Sequence, residues 1–395
     1  MSGYLKPPDE QFAREHAPAL ARSAPIEMAD MEGRVRVIGR RMFVTLVTAG
    51  LVGRAWAVGA QPATKMPRVT YLGSRQGLDT LGRAFAEGLR AVGLVPGQTV
   101  VLDMRAYDVS QLESLPDIVK QVVAAGTDVI LAASPLVIEA ALRATRTVPI
   151  VGVDIESDPI VKGWVATMAR PGGNFTGFFL DAPEISGKQL QFLKELRGGT
   201  TRVAVLGDPR INDPQFRAIA GAARQSGIAL QTVSAKTADE IEPAVAEAAR
   251  RHADALVVLT SPLVFTLAPQ IAASALTHHL PSICPFAPRF AEAGGLMAYG
   301  PDLPDLFRRS ADYVDRVLKG AKPGELPVQR PEKFLLVVNA RTARALKLSL
   351  PTSLVQGANH RDRMTPVSEG GVHVAILHSA FKLERYPTST ELFMG

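Results

Sequence analysis

Glu292-Ala293-Gly294-Gly295-Leu296-Met297-Ala298-Tyr299-Gly300 is the stretch on which the reading of this chain turns. A Gly-Gly pair feeds a short apolar run that closes on Tyr-Gly. Glycines accept backbone angles that a Cβ forbids, so the chain can bend sharply at both ends of that run. Downstream, Leu303, Leu306, Phe307, Ser310, Tyr313, Val314, Val317 and Leu318 share one helical face, and Gly320 ends the pattern. Upstream lie repeated strand–helix units. The stretch therefore fits either a chain leaving one packed lobe for another or an ordinary loop-to-strand junction.

Working outward, strands are expected at 68–73, 99–104, 129–133 and 148–153, with helices over 78–92, 112–125 and 135–145 between them. The run 129–133 is apolar throughout, as in a parallel strand covered on both faces. Alternating β and α segments imply a parallel, doubly wound α/β sheet. Pro171-Gly172-Gly173-Asn174 interrupts the rhythm. A second series follows, with strands at 178–180, 202–206, 229–233, 255–259 and 282–284, and helices at 185–196, 214–226, 241–252 and 265–279. The expected organisation is two α/β lobes: residues 66–177 with 300–328, and residues 178–299 with 329–355. Several passages between lobes would form a hinge. Residues 356–395 are polar and aperiodic at first, and the strand-like run 372–377 has no pairing partner that the sequence reveals.

The segment before residue 66 reads as an N-terminal extension and export signal over 1–60. Arg34, Arg36, Arg40 and Arg41 form a basic cluster, an apolar run covers 42–52, and Val58 and Ala60 are the small residues of a cleavage site. Arg40-Arg41-Met42-Phe43 is close to a twin-arginine signal, whereas Arg54 interrupts the apolar stretch. Met28 or Met31 as the start would give a signal of more usual length. Cleavage after Ala60 leaves 335 of 395 residues, enough for two modest α/β domains. The net charge of +6 falls to +4 in that part, without a basic block, which argues against nucleic acid as a partner. A single cysteine, Cys284, leaves no internal disulfide and no multi-cysteine metal site.

Motifs for catalysis are missing. No Gly-x-Gly-x-x-Gly follows a predicted strand, and there is no phosphate-binding Lys-Ser/Thr loop, nucleophile elbow or His-Glu-x-x-His. His278 and His279 are adjacent and so point to different helix faces, which suits a solvated helix end better than a metal. Cys284 reads as a small buried hydrophobe. No cofactor is implied. What remains is a set of polar residues at the carboxyl ends of strands, where open α/β sheets bind ligands. Ser74 follows the first strand, and Ser134 follows 129–133 directly before a helix, where its hydroxyl and free amides suit a carboxylate. Asp208, with Asn212 nearby, follows 202–206, and Ser261 follows 255–259. Each is equally a helix cap, a role that Ser, Asp and Asn fill routinely. Of the aromatics near this edge, Tyr107 and Tyr299 suit stacking on a ligand, while Phe175 and Phe286 suit core or hinge packing. Asp154 and Asp158 are alternates, better suited to structural roles.

Ala291 to Gly300, Arg170-Pro171-Gly172-Gly173-Asn174-Phe175-Thr176-Gly177, the block from Leu318-Lys319-Gly320 to Pro327-Val328-Gln329, and Asn339-Ala340-Arg341-Thr342-Ala343 with Leu350-Pro351 are found together and in this order. In that arrangement the chain resembles the ABC-transporter substrate-binding proteins of the tryptophan/tyrosine-binding-like group, over about residues 66–355. The resemblance implies a type I periplasmic-binding fold, two lobes joined by three crossovers near 173–177, 297–300 and 327–334, and return of the helix over 303–318 to the first lobe. It implies a monomeric periplasmic protein without catalysis. A small carboxylate or amino-acid-like solute would be its ligand and an ABC permease its membrane partner. Ser74 and Ser134 would serve the ligand's carboxylate, Asp208 and Ser261 its other polar groups, and Tyr299 would stand beside the hinge. Gly207-Asp208-Pro209 and Ser261-Pro262 depart from the family's usual pattern and leave the ligand open. A ligand-sensing module for a membrane receptor, or an enzyme on a two-lobed scaffold, are the alternatives.

Overall fold

Apolar runs flanked by turn residues become strands, and each is followed by a segment whose apolar residues recur at helical spacing. The computed structural model describes residues 66–154, 157–179, 182–352, 354 and 372–378. The predicted export segment and residues 355–371 and 379–395 lie outside them. Two sheets carry the fold. The first holds β1 (Arg68–Ser74), β2 (Val101–Tyr107), β3 (Val129–Ala132), β4 (Ile150–Asp154) and β5 (Phe175–Phe179) in the order β2-β1-β3-β4-β5, all parallel.

Alternate residues of these strands serve different layers. Val69, Tyr71, Leu131 and Val153 join the core that includes Phe85 and Leu89 of helix α1 (Arg83–Ala91). Leu72, Ile130, Ala132 and Ile150 face Val119 of α2 (Leu115–Ala124) and Ile138 of α3 (Pro135–Ala144). This is the doubly wound arrangement expected from fully apolar parallel strands. Before α1, residues 75–82 form a helical turn and a π-helical turn instead of a regular helix start.

The second sheet holds β6 (Arg202–Gly207), β7 (Ala229–Ser234), β8 (Ala255–Val258), β9 (Ser282–Cys284), β10 (Met297–Pro301), β11 (Lys333–Asn339) and β12 (Val372–His378), in the order β12-β11-β10-β9-β8-β6-β7. Strands β6 to β10 are parallel, but β11 runs antiparallel to β10, and β12 antiparallel to β11. The strand-like run in the predicted tail thus pairs with β11 along its whole length, a partner 33 or more residues upstream that local sequence cannot reveal. Helices α4 (Ala182–Leu196), α5 (Pro209–Ser226), α6 (Ile241–Arg250), α7 (Pro262–Thr277) and α8 (Arg289–Glu292) belong to this half.

The chain passes between the two sheets three times. The first passage follows β5. Because Phe178 and Phe179 complete a strand hydrogen-bonded to β4, the first sheet extends to residue 179, beyond the predicted break at 177. The second follows β10, after which α9 (Leu303–Leu318) packs on α1 of the first half. The third runs through residues 319–332. There Gln329 donates its amide to the Gly177 carbonyl and accepts from Phe179, and the Thr176 hydroxyl donates to the Leu326 carbonyl, at 2.8–2.9 Å. Backbone hydrogen bonds therefore fasten the third passage to the edge of β5. A final short helix, α10 (Ala340–Ala345), follows β11.

The opening stretch behaves as a bend and a strand. Gly294 has φ +105°, a conformation few side chains tolerate. A Cβ on Gly300 would stand 1.8 Å from the Pro285 carbonyl oxygen, so the backbones of β10 and the β9 end approach too closely for any other residue.

Candidate functional site

The carboxyl ends of β1, β2, β3 and β4 open onto one cavity of about 50 Å³. Ser74, Tyr107, Ser134 and Val153 reach it from these strand ends, and Pro262, Phe265 and Phe286 close it from the second half. Leu303 and Phe307 of α9 complete the wall. The cavity thus lies between the two lobes, under the first turn of α9.

Local structure fixes the polar side. Ser134 caps α3: its Oγ accepts from the Val137 amide at 3.3 Å, and the helix starts on Pro135, which has no amide to satisfy. The Tyr107 hydroxyl lies 3.3 Å from the same Oγ. Ser74 Oγ accepts from the Gly77 amide at 3.3 Å. Tyr71, one turn of the β pleat before Gly73, sends its ring into the core against Phe85 and Phe307 at centroid distances of 6.2 and 5.9 Å. Tyr71 belongs to the cavity wall, and a Cβ placed on Gly77, another wall residue, would sit 3.5 Å from its hydroxyl oxygen. Burial, with the nearby Tyr107, pushes the Tyr71 hydroxyl far above its ordinary value, so it stays protonated.

The opposite side is apolar. Phe265 and Phe286 meet edge to face at 5.1 Å. Behind Phe265, the Arg289 guanidinium stacks on the ring, 4.4 Å from its centroid, and Nε donates to the Phe265 carbonyl at 2.8 Å. Among the described residues no charged side chain lines the cavity itself. Next to the rim, the Thr266 hydroxyl donates to Gln76 Oε1 at 3.2 Å, a hydrogen bond from one lobe to the other.

Of the residues singled out in the sequence, Ser74, Tyr107 and Ser134 are brought together here. Asp208, Ser261 and Tyr299 are not in the cavity wall. Ser261 caps α7 through the Val264 amide at 3.1 Å and directly precedes the lining Pro262. Asp208 follows β6 directly, its amide donating to Asn212 Oδ1, beside a buried network in which Asn212 Nδ2 and Gln215 Nε2 donate to the Thr260 carbonyl and Thr260 donates to Gln215 Oε1. That network ties the ends of β6 and β8 together and occupies Asn212. Tyr299 packs between Phe192 at 5.0 Å and Phe334 at 5.9 Å, inside the second lobe.

Sequence reading missed Tyr71, Phe265 and Phe307. The signal for Tyr71 was a hydroxyl-bearing ring three residues before Ser74 in the same strand. His278 pairs with Glu242 at 2.6 Å, and no group of side chains suited to a metal ion occurs among the described residues. Cys284 is buried and its thiol is pushed up to about 12 by burial, which leaves it protonated and inert.

A cleft between two α/β lobes, with small polar groups at strand ends, is the geometry of a solute receptor. The family model for ABC transporter substrate binding protein matches residues 68–361. The chain belongs to this family. Its members are extracytoplasmic substrate-binding proteins and not enzymes, and they act with a small-molecule ligand and an ABC permease. A relative called tyrosine-binding protein, from Clostridioides difficile strain R20291, is 23% identical over 282 residues, covering 71% of this chain and 80% of its own.

Among solved structures, a conserved domain protein from Vibrio cholerae aligns with a TM-score of 0.69 at 23% identity, covering 74% of this chain and 98% of its own. An ABC domain in complex with L-Trp from Streptococcus pneumonia aligns at 0.67 and 23%, covering 73% and 97%. These likenesses show the fold: two parallel α/β lobes of the type I periplasmic-binding kind. No described helix is long and apolar enough to cross a membrane.

Proposed function

We propose that this chain is the extracytoplasmic solute-binding component of an ABC importer, enclosing a small carboxylate or amino-acid-like ligand between its lobes. The observation that carries this reading is the interlobe cavity, with Ser134 at the start of α3 and Tyr107 beside it on one wall and Phe265 and Phe286 on the other. Hydroxyls and a helix N-terminus suit a carboxylate, and the aromatic wall suits an apolar body. Pockets for ligands of this kind measure about 300–1,000 Å³, so at about 50 Å³ the lobes must part to admit one. The three passages supply the hinge. Closure is favoured only by contacts the ligand makes with both walls. The names of the tyrosine-binding relative and the L-Trp complex support amino acids with aromatic side chains as first candidates. Export through the segment 34–60, a periplasmic location, a monomeric state and no nucleic-acid partner belong to the same reading.

Thermal denaturation of the purified protein against L-tyrosine, L-tryptophan and small carboxylates tests it. A ligand of the folded state raises the midpoint with concentration. Ser134→Ala is expected to weaken binding about tenfold, the loss of one hydrogen bond to a charged group. Asp208→Ala is the companion variant, and unchanged affinity would remove Asp208 from the site. If no compound shifts the midpoint, the proposal fails.

A further inference from the structure

Tyr71 presents a contradiction that packing does not resolve. The residue is fully buried, yet its hydroxyl has no hydrogen-bond partner among the described residues. An unsatisfied buried hydroxyl costs stability, and phenylalanine would fill the same space between Phe85 and Phe307. Tyr71 is a residue of the cavity wall, and its oxygen lies 3.5 Å from where a Cβ on Gly77 would stand, another wall residue, whose amide donates to the lining Ser74.

The other polar groups of the wall are already engaged. The Tyr107 hydroxyl and Ser134 Oγ are 3.3 Å apart, and each serine oxygen accepts from a helix amide. The Tyr71 hydroxyl differs from them as a buried donor on a cavity-lining residue that has no partner among the described residues.

We infer that the Tyr71 hydroxyl is a ligand-binding group, donating a hydrogen bond to an acceptor oxygen of a ligand whose body is apolar or aromatic. This rests on the proposed solute-binding role and deepens it. The acceptor sits on the hydroxyl side, with Tyr71, Ser74, Ser134 and Tyr107, and the apolar body lies against Phe265 and Phe286. Among the described residues the wall holds no charged side chain, so hydrogen-bond donors carry recognition of the oxygen. The hydroxyl costs the ligand-free fold stability and recovers it on binding.

The test is Tyr71→Phe, read in two ways with L-tyrosine, L-tryptophan and 3-phenylpropanoate as probes. Without any probe, its thermal midpoint should equal or exceed that of the wild type, by about 2 °C. With the probe that shifts the wild type most, its affinity should fall tenfold or more. Tyr107→Phe, which removes a partner of Ser134, should weaken binding without raising the midpoint. Stability lost in Tyr71→Phe would show that the hydroxyl has a structural partner and would overturn the inference. So would unchanged affinity alongside a wild-type response, which would leave the solute-binding role standing. Failure of the wild type to respond to all three probes would instead overturn that role, and the Tyr71 assignment with it.

Discussion

At the scale of single residues, two aspartates do the same work in the two halves. Asp254 Oδ2 accepts from the amides of Thr201 and Arg202 at 2.9 and 2.8 Å and pins the start of β6 to the turn before β8. Asp128 Oδ2 accepts from the Arg68 amide at 2.7 Å and does so for β1 and β3. In both, the aspartate's own amide donates to the first carbonyl of the neighbouring strand at 2.8 Å. Burial opposes ionisation of Asp254, but the two amides, the Thr201 hydroxyl and the Arg202 charge outweigh it and hold the carboxyl below its ordinary 3.8. A carboxylate whose folded pKa is depressed stabilises above its unfolded pKa and loses that contribution as pH falls through the folded value. Asp254→Ala should therefore cost about 1–2 kcal/mol at pH 7. It should also flatten the decline of stability below about pH 4, as urea denaturation across that range would show. Nothing in the local sequence distinguished these aspartates from ordinary turn residues, because their partners lie 52 to 60 residues away.

At the scale of elements, prolines competed for helix starts. Helices expected from 214 and 265 begin at Pro209 and Pro262, leaving Pro214 and Pro269 inside them. In α7 the Ser261 cap decides the start, and the cost of the inner proline is a kink: Leu267, two residues before Pro269, has φ −97° and ψ 17°. By contrast α9 was legible to the residue from its apolar face and Gly320, and the structure adds an acidic cap. Asp302 accepts from the Asp305 amide at 3.0 Å, so Asp302→Ala should lower stability by about 1 kcal/mol. Ligand affinity should not change, because Asp302 is outside the cavity wall, and a chemical denaturation curve beside a binding isotherm checks both.

At the scale of the whole molecule, the lobes meet through the cavity, the three passages and the Thr266–Gln76 hydrogen bond. Gln76 is not a cavity residue, so Gln76→Ala removes a contact of the closed arrangement without touching the wall. The more open form should gain population: the radius of gyration by solution scattering should rise without ligand and fall again at saturation. Affinity should weaken severalfold, as expected when one hydrogen bond of the binding-competent state is lost. An unchanged radius and affinity would mean that this bond does not hold the lobes together.

The sequence by itself determined the alternation of strand and helix, the two sheets and three of the cavity's hydroxyl residues, whereas the return of α9 was implied by the family resemblance. The first three depend on local periodicity, on caps, or on the rule that strand ends in parallel sheets carry ligands. Tertiary structure alone decided the antiparallel β11, the pairing of β12, the withdrawal of Asn212 into a strand-end network and the placement of Tyr299 in the second core. It also decided that Tyr71 and Phe265, 194 residues apart, share one cavity. Periodicity reports which face of an element is apolar. It does not say which distant face will cover it, because that choice is made by packing both lobes at once.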